Sequence, residues 1–308
     1  EIKENEIITK TDVNGTVHKL LCVNGHYIAT SWAERGFLPD PRISLPEIRD
    51  MEMRPDDILV CAYAKAGTHW LWEITKMLIK RSAEYEPLPK ESVMLEFHLP
   101  EDFDDLESPR VLNTHLNLNQ LPKQTLQKNS KIIHIQRNPK DVAVSLFCHR
   151  SHANLHVTKE WEQFLRVFET ETDCLTKWFS YTLEWERKID ENKDLQILQL
   201  YYEDIKKNPV KEIQRLANFL EVDCDEVLAE HIADKCSFKN LKKANNEIKI
   251  DILNRNPEEK SDVAKSDFLY RKGEIGDWKN WFTVAQNERF NQSYKEWMKT
   301  SKLKFTYI

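Results

Sequence analysis

Apolar residues in this chain fall into short, dense runs separated by segments of helical period. The runs are "DILVCAY" (57–63), "RVLNTH" (110–115), "KIIHIQR" (131–137) and "LQILQLYY" (195–202). Each is short and flanked by polar residues, which predicts a strand buried on both faces. After the first run, Trp70, Leu71, Ile74, Met77 and Leu78 recur at helical spacing. After the third, Asn138 can cap a helix, and Pro139 suits its first position, where no N–H is needed. Asn208 and Pro209 repeat that start signal, with Val210, Ile213, Leu216, Ala217 and Leu220 as the buried face. Strands alternating with helices predict an α/β three-layer sandwich around a central parallel sheet. Residues 1–50 show only turn signals between short apolar pieces. Ligands of such sheets bind at the carboxyl ends of the strands, which points to 63–70, 113–115, 137–145 and 201–204.

Composition narrows the partners. The chain has 308 residues and a net charge of −6, which argues against a nucleic-acid partner. An anion site must therefore come from local basic groups. No apolar run is long enough to span a bilayer, and the "EIKENEIITK" start lacks the pattern of a signal peptide. The six cysteines (Cys22, Cys61, Cys148, Cys174, Cys224, Cys236) form no C-x-x-C pair and no zinc-like cluster with histidine. They read as reduced thiols of a cytoplasmic protein without a metal.

Candidate chemistry sits at the strand ends. In "YAKAGTHW" (63–70) Lys65 precedes the only glycine, Gly67, so this is not the G-x-x-x-x-G-K-[ST] nucleotide loop. Gly67 permits close backbone approach, and the N–H groups of Gly67, Thr68, His69 and Trp70 open a helix whose positive end favours phosphate. By itself this could be an ordinary turn with a solvated lysine. "RNPKDVAVS" (137–145) supplies Arg137 and Ser145, although an arginine there usually pairs with a carboxylate. "RKGEIGDWKNWFTVAQNERF" (271–290) places Arg271 and Lys272 beside Gly273, and alone reads as a surface loop. His115, at the end of a strand, alone reads as a hydrogen-bonding filler.

Together these segments resemble the cytosolic sulfotransferases, which move a sulfuryl group from 3′-phosphoadenosine 5′-phosphosulfate (PAPS) to small acceptors. The resemblance runs from about residue 50 to about residue 295. Tyr63 to Trp70 resembles Y-P-K-S-G-T-T-W, Arg137 to Ser145 resembles R-x-x-K-D-x-x-x-S, and Arg271 to Lys279 matches R-K-G-x-x-G-D-W-K. Lys279, Thr283, Val284 and Glu288 match the family's dimer motif K-x-x-x-T-V-x-x-x-E, which implies a homodimer. The resemblance implies one domain over 1–308 with a P-loop-like phosphosulfate-binding strand-turn-helix. Residues 1–50 would pack on the core and the acceptor side. It implies His115 as catalytic base and Lys65 as the donor to the bridging oxygen of the leaving nucleotide (PAP). The turn from Lys65 through Ala66, Gly67, Thr68 and His69 would hold the 5′-phosphate. Arg137, Ser145, Arg271, Lys272 and Gly273 would hold the 3′-phosphate. Trp70, Tyr202 and Phe238 would contact adenine, with Cys236 nearby, and no metal is implied.

Departures from the family pattern modify these expectations. Ala66 replaces a serine whose hydroxyl resembles a partner for the lysine, so Lys65 is expected to lack restraint and to promote slow hydrolysis of the donor. His69 replaces a threonine at the 5′-phosphate, Asn113 replaces a lysine near the sulfuryl group, and Cys236 replaces a threonine near the nucleotide. The acceptor pocket is expected around Met94 to Phe97, after Ser145, and in loops near 30–40 and 240–265. Phe97 matches a family aromatic. His149 stands where phenol-sulfating relatives often carry Phe. Phenol, amine and sterol acceptors stay open. The alternatives are a nucleotide-binding relative with weakened catalysis and a P-loop-type kinase, which the misplaced lysine disfavours.

Overall fold

The computed structural model describes residues 6–23, 26–30, 39–87, 90–152, 160–172, 176–255 and 270–307. The four runs form a parallel sheet of β4 (Ile58–Ala62), β5 (Val111–Thr114), β6 (Lys131–Gln136) and β7 (Ile197–Tyr201) in the order β5-β4-β6-β7. Every residue of β4 and β5 is buried, as a sheet covered on both faces requires. From β4 the chain passes to β5 on one side and then to β6 on the other. That reversal opens a crevice at the carboxyl ends. Cys61 lies opposite both Thr114 and His134, so β4 and β5 end within a residue of each other and β6 runs on to Gln136 beside them. The turn after β4, His115 and Arg137 therefore emerge side by side. At the opposite end, buried Arg110 donates Nε–H to Asp57 at 2.8 Å and ties β5 to the entry of β4.

Helices Thr68–Lys80, Pro139–His152 and Pro209–Leu220 form where the sequence signals place them. The Asn138 side chain accepts from the Asp141 N–H at 2.9 Å, which is the cap expected before Pro139. Tyr202 is the first residue of a short helix, Tyr202–Lys207, rather than the last of a strand. Trp178, Phe179, Phe168 and Phe290 join the helices around the C-terminal helix Val284–Trp297 in an aromatic part of the core.

Two stretches differ from expectation. Residues 7–29 contain an antiparallel sheet of β1 (Ile7–Thr11), β2 (Val17–Val23) and β3 (His26–Ala29) that the sequence did not announce. Only the second half of β2 is buried, so the alternation that marks a half-buried strand never develops. Asp12 builds its first turn by accepting the N–H groups of Asn14 and Thr16 at 2.8 and 3.0 Å. Leu21 and Val23 pack with Leu45, Ile28 and Leu116 in a small core separate from the main one. The expected acceptor loop near 240–265 is helical as far as Arg255, in helix Phe238–Arg255. The rest of that loop, and 31–38 of the loop near 30–40, lie outside the described residues.

Candidate active site

A cleft of about 890 Å³ opens at the carboxyl ends of β4, β5 and β6. Lys65, Gly67, Thr68, His69, Trp70, Phe97, His115, Arg137, Ser145, His149, Tyr202, Cys236, Phe238, Arg271, Lys272 and Gly273 all line it. Of the expected site residues only Ala66 does not. Its side chain is buried, and its N–H donates to the Tyr63 carbonyl at 3.0 Å, leaving nothing to offer a ligand.

The turn after β4 is built for an anion. Lys65 has φ 68° and Gly67 φ 116°, both in the left-handed region. A Cβ on Gly67 would also meet Tyr202 at 3.0 Å and Ile135 at 3.3 Å. The glycine is thus required by protein packing as well as by backbone shape. The first helical bond is from the Leu71 N–H to the Gly67 carbonyl at 3.0 Å, so the N–H groups just before it have no intrahelical acceptor. Thr68 Oγ1, His69 Nδ1 and Trp70 Nε1 are buried and have no hydrogen-bond partner among the described residues. Burial and the neighbouring Arg137 push the Lys65 ammonium down to about 8. Lys65 Nζ donates to His149 Nδ1 at 3.4 Å, a contact the sequence reading did not foresee. Burial, Lys90 and Lys65 hold the His69 imidazole well below its usual range, so it is neutral.

Arg137 has no carboxylate partner among the described residues, unlike the usual structural arginine. Its guanidinium donates to the carbonyls of Lys65 and Glu274 at 3.2 and 3.0 Å and lies 4.2 Å from the Tyr202 ring centroid. Its Nε is buried without a partner among the described residues, as is that of Arg271. Arg271 and Lys272 each donate to Asp277 at 2.6 Å. Burial opposes the Asp277 charge, but donors from Lys272, Asn280 and Arg271 outweigh it and draw the carboxyl down to about 2. Asp141, in the second signature, accepts the N–H groups of Gly276 and Trp278 at 2.8 and 3.0 Å. The second signature thereby fastens the third. Gly273 has φ 66°, and a Cβ there would lie 2.2 Å from Phe238.

His115 donates Nδ1–H to the Ala62 carbonyl at 2.8 Å, which leaves the Nε2 lone pair available. Burial lowers its pKa despite Glu96 and the Ala62 bond, so the ring is neutral at pH 7. Glu96 was missed by the sequence reading. It accepts the His115 N–H at 2.6 Å and the Thr114 hydroxyl at 2.7 Å, joining the segment that carries Phe97 to the end of β5. No sequence signal marks it, because the pairing is made across the fold. Asn113 is buried outside the cleft lining and donates to the Lys90 carbonyl at 2.9 Å. Cys236 is buried at the edge of the cleft with its thiol 3.7 Å from the Met77 sulfur.

The family comparison narrows the readings. The family model described as "Sulfotransferase domain" matches residues 55–302. The chain belongs to the sulfotransferase family. Sulfotransferase 1B1 of the dog (Canis lupus familiaris) is 37% identical over 271 residues, covering 84% of this chain and 88% of that protein. Among solved structures, mouse sulfotransferase SULT7A1 complexed with PAP has a TM-score of 0.68 at 30% identity, covering 92% of this chain and 96% of that one. Retinol dehydratase, in complex with androsterone and PAP, shares the fold with a TM-score of 0.70 at 20% identity, covering 98% of this chain and 92% of that one. Sulfotransferase membership removes the kinase alternative. No helix of the described residues is long and apolar enough to cross a membrane.

Proposed function

We propose that this sulfotransferase moves a sulfuryl group from PAPS to the hydroxyl or amine of a small acceptor, releasing PAP. One observation carries the reading: Lys65, His115 and a set of unpartnered buried donors converge on one cleft. Thr68 Oγ1, Arg137 Nε and Arg271 Nε can all donate, which suits a ligand with phosphate at both ends. The 30%-identical mouse structure, complexed with PAP, supports the same ligand.

Residue roles are those the family resemblance implies, and the meeting of these side chains in one cleft supports them. Neutral His115 takes the acceptor proton at Nε2, with its tautomer fixed by Ala62 and its backbone fixed by Glu96. Lys65 donates to the bridging oxygen as negative charge develops there, an interaction strongest in the transition state. The helix N-terminus at Gly67 to Trp70 holds the 5′-phosphate. Arg137, Ser145, Arg271, Lys272 and the Gly273 backbone hold the 3′-phosphate. Trp70, Tyr202 and Phe238 flank the adenine. Phe97 lines the acceptor end.

The Lys279, Thr283, Val284 and Glu288 surface pairs two copies in this reading. Val284 is 75% exposed at the start of the C-terminal helix, while Thr283 caps that helix through the Gln286 N–H. A cytoplasmic location agrees with the unpaired state of all five described cysteines. The test uses labelled PAPS with a panel of phenols, amines and sterols. Label should reach at least one acceptor, and His115→Ala should reduce turnover roughly 10²–10⁴-fold while PAP binding persists. Tight PAP binding without transfer to any acceptor would instead identify a nucleotide-binding relative that no longer catalyses.

A further inference from the structure

Helix Trp178–Glu191 presents a polar face to the cleft. Lys177, at its cap, and Ser180, Tyr181 and Glu184 recur at helical spacing and line the cleft wall. Glu184 is bracketed by two amides. It accepts from Asn117 Nδ2 and from Asn119 Nδ2, each at 2.6 Å and each on a different carboxylate oxygen. Asn117 is fixed in turn, because its N–H donates to the Gln120 side chain at 3.0 Å. Asn117 and Glu184 line the cleft, and Asn119 does not. No cation pairs with this half-buried carboxylate among the described residues. Lys177 stands seven residues before it, about 10 Å along the helix axis. Its ammonium lies 5.6 Å from the Tyr27 ring centroid. The amides carry no charge, so the negative charge of Glu184 stays uncompensated. A carboxylate has about four acceptor sites, of which the amides take two. His115 is two residues before Asn117, at most about 7 Å of backbone away. A small molecule that presents a hydroxyl to His115 can therefore reach Glu184 with its other end.

We propose that Glu184 selects acceptors that bear a protonated amine at the end remote from the hydroxyl taking the sulfuryl group. The inference rests on the sulfotransferase reading of the cleft and deepens it by naming the acceptor class. An ammonium supplies both the missing positive charge and donors for the open lone pairs. Such a charge-assisted contact is roughly twice as strong as one between neutral groups. The two amides set the carboxylate before the ligand arrives, so little ordering is left to binding. An acceptor that is apolar at this end would strip water from the carboxylate and replace it with nothing. The transfer step itself is unchanged. The acceptor oxygen bonds to sulfur, and the bond from sulfur to the bridging oxygen breaks. Its electron pair leaves with PAP, and the hydroxyl proton passes to His115 Nε2.

The test compares transfer from labelled PAPS to three phenols that differ only in the para substituent: 2-aminoethyl, 2-hydroxyethyl and propyl. In the wild type kcat/KM should be highest for the aminoethyl phenol. Glu184→Gln should lower that value about 10- to 150-fold, the reach of one charge-assisted hydrogen bond, and leave the propyl phenol nearly unchanged. Glu184→Asp keeps the charge on a shorter stem and should retain part of the preference. Asn119→Ala removes an amide that does not line the cleft, and should reduce the preference by a smaller factor. PAP binding by calorimetry confirms that each variant is folded. Equal kcat/KM for the aminoethyl and propyl phenols, a preference for the hydroxyethyl phenol, or a preference that survives Glu184→Gln overturns the inference. So does the absence of transfer to the aminoethyl phenol. The wider acceptor panel tests the sulfotransferase reading separately, and transfer to other acceptors there would sink only the role of Glu184.

Discussion

Replacing Arg137 with alanine should cost the protein its preference for a 3′-phosphorylated nucleotide. The residue is 8% exposed, so its charge acts in a shielded place where a phosphate contact is strong. A charge-assisted hydrogen bond of this kind contributes about 1.5–3 kcal/mol, or roughly 10- to 150-fold in Kd. Arg137 also supports the cleft in ways that do not depend on the 3′-phosphate. It spans the carbonyls of Lys65 and Glu274 and stacks on Tyr202 at 4.2 Å. Loss of that stack alone is worth about 0.5–2 kcal/mol. These losses should weaken every adenine nucleotide alike. Calorimetry should therefore compare PAP with adenosine 5′-monophosphate on both proteins. The ratio of their Kd values should shrink by the phosphate contribution, and Arg137→Lys, which keeps charge without the planar fork, should fall between. If Arg137→Ala weakens both nucleotides by the same factor, the guanidinium is a scaffold and does not read the 3′-phosphate.

Three further outcomes follow. The pH profile of kcat/KM should be a plateau with two limbs. Lys65 acts as the ammonium and deprotonates at about 8, so activity falls above that pH, whereas His115 acts as the neutral base and its lowered pKa puts the acid limb below the ordinary 6.5. Lys65→Arg should remove the alkaline limb, and a limb that persists in that variant would assign it to another group. Gly273→Ala should weaken PAP binding and lower Tm, since φ 66° and a Cβ 2.2 Å from Phe238 force the backbone at residue 273 or the ring to move; unchanged Kd and Tm would show that neither is constrained. Asp277→Asn should weaken PAP less than Arg271→Ala does, because Asp277 orients Arg271 and Lys272 without touching the ligand, and the reverse order would refute that division.

The parallel sheet was legible because strands buried on both faces leave dense apolar runs, and each run lies within a residue or two of the strand observed. The phosphate-binding segments were legible because unusual backbone and charge are concentrated in a few consecutive residues. The partners of those segments were not. Glu96 holds His115 across 19 positions, and Asp141 holds Trp278 across 137 positions. Neither link leaves a local pattern. The first sheet was hidden for another reason. Most of β1 and the first half of β2 lie at the surface, so the polar residues that belong there read as turns.

The small core under the first sheet has a consequence for how such a protein can diversify. Ile28, Leu45 and Leu116 face the cleft and pack with Leu21 and Val23; among the described residues of this cluster Leu116 also packs against the main core, and Ile28 and Leu45 do not. Exchanging residues in this cluster reshapes one wall of the cleft while the phosphate grip keeps its own foundations. Selection can therefore retune what enters the cleft without renegotiating the nucleotide end, and the cost of each trial is confined to a handful of side chains.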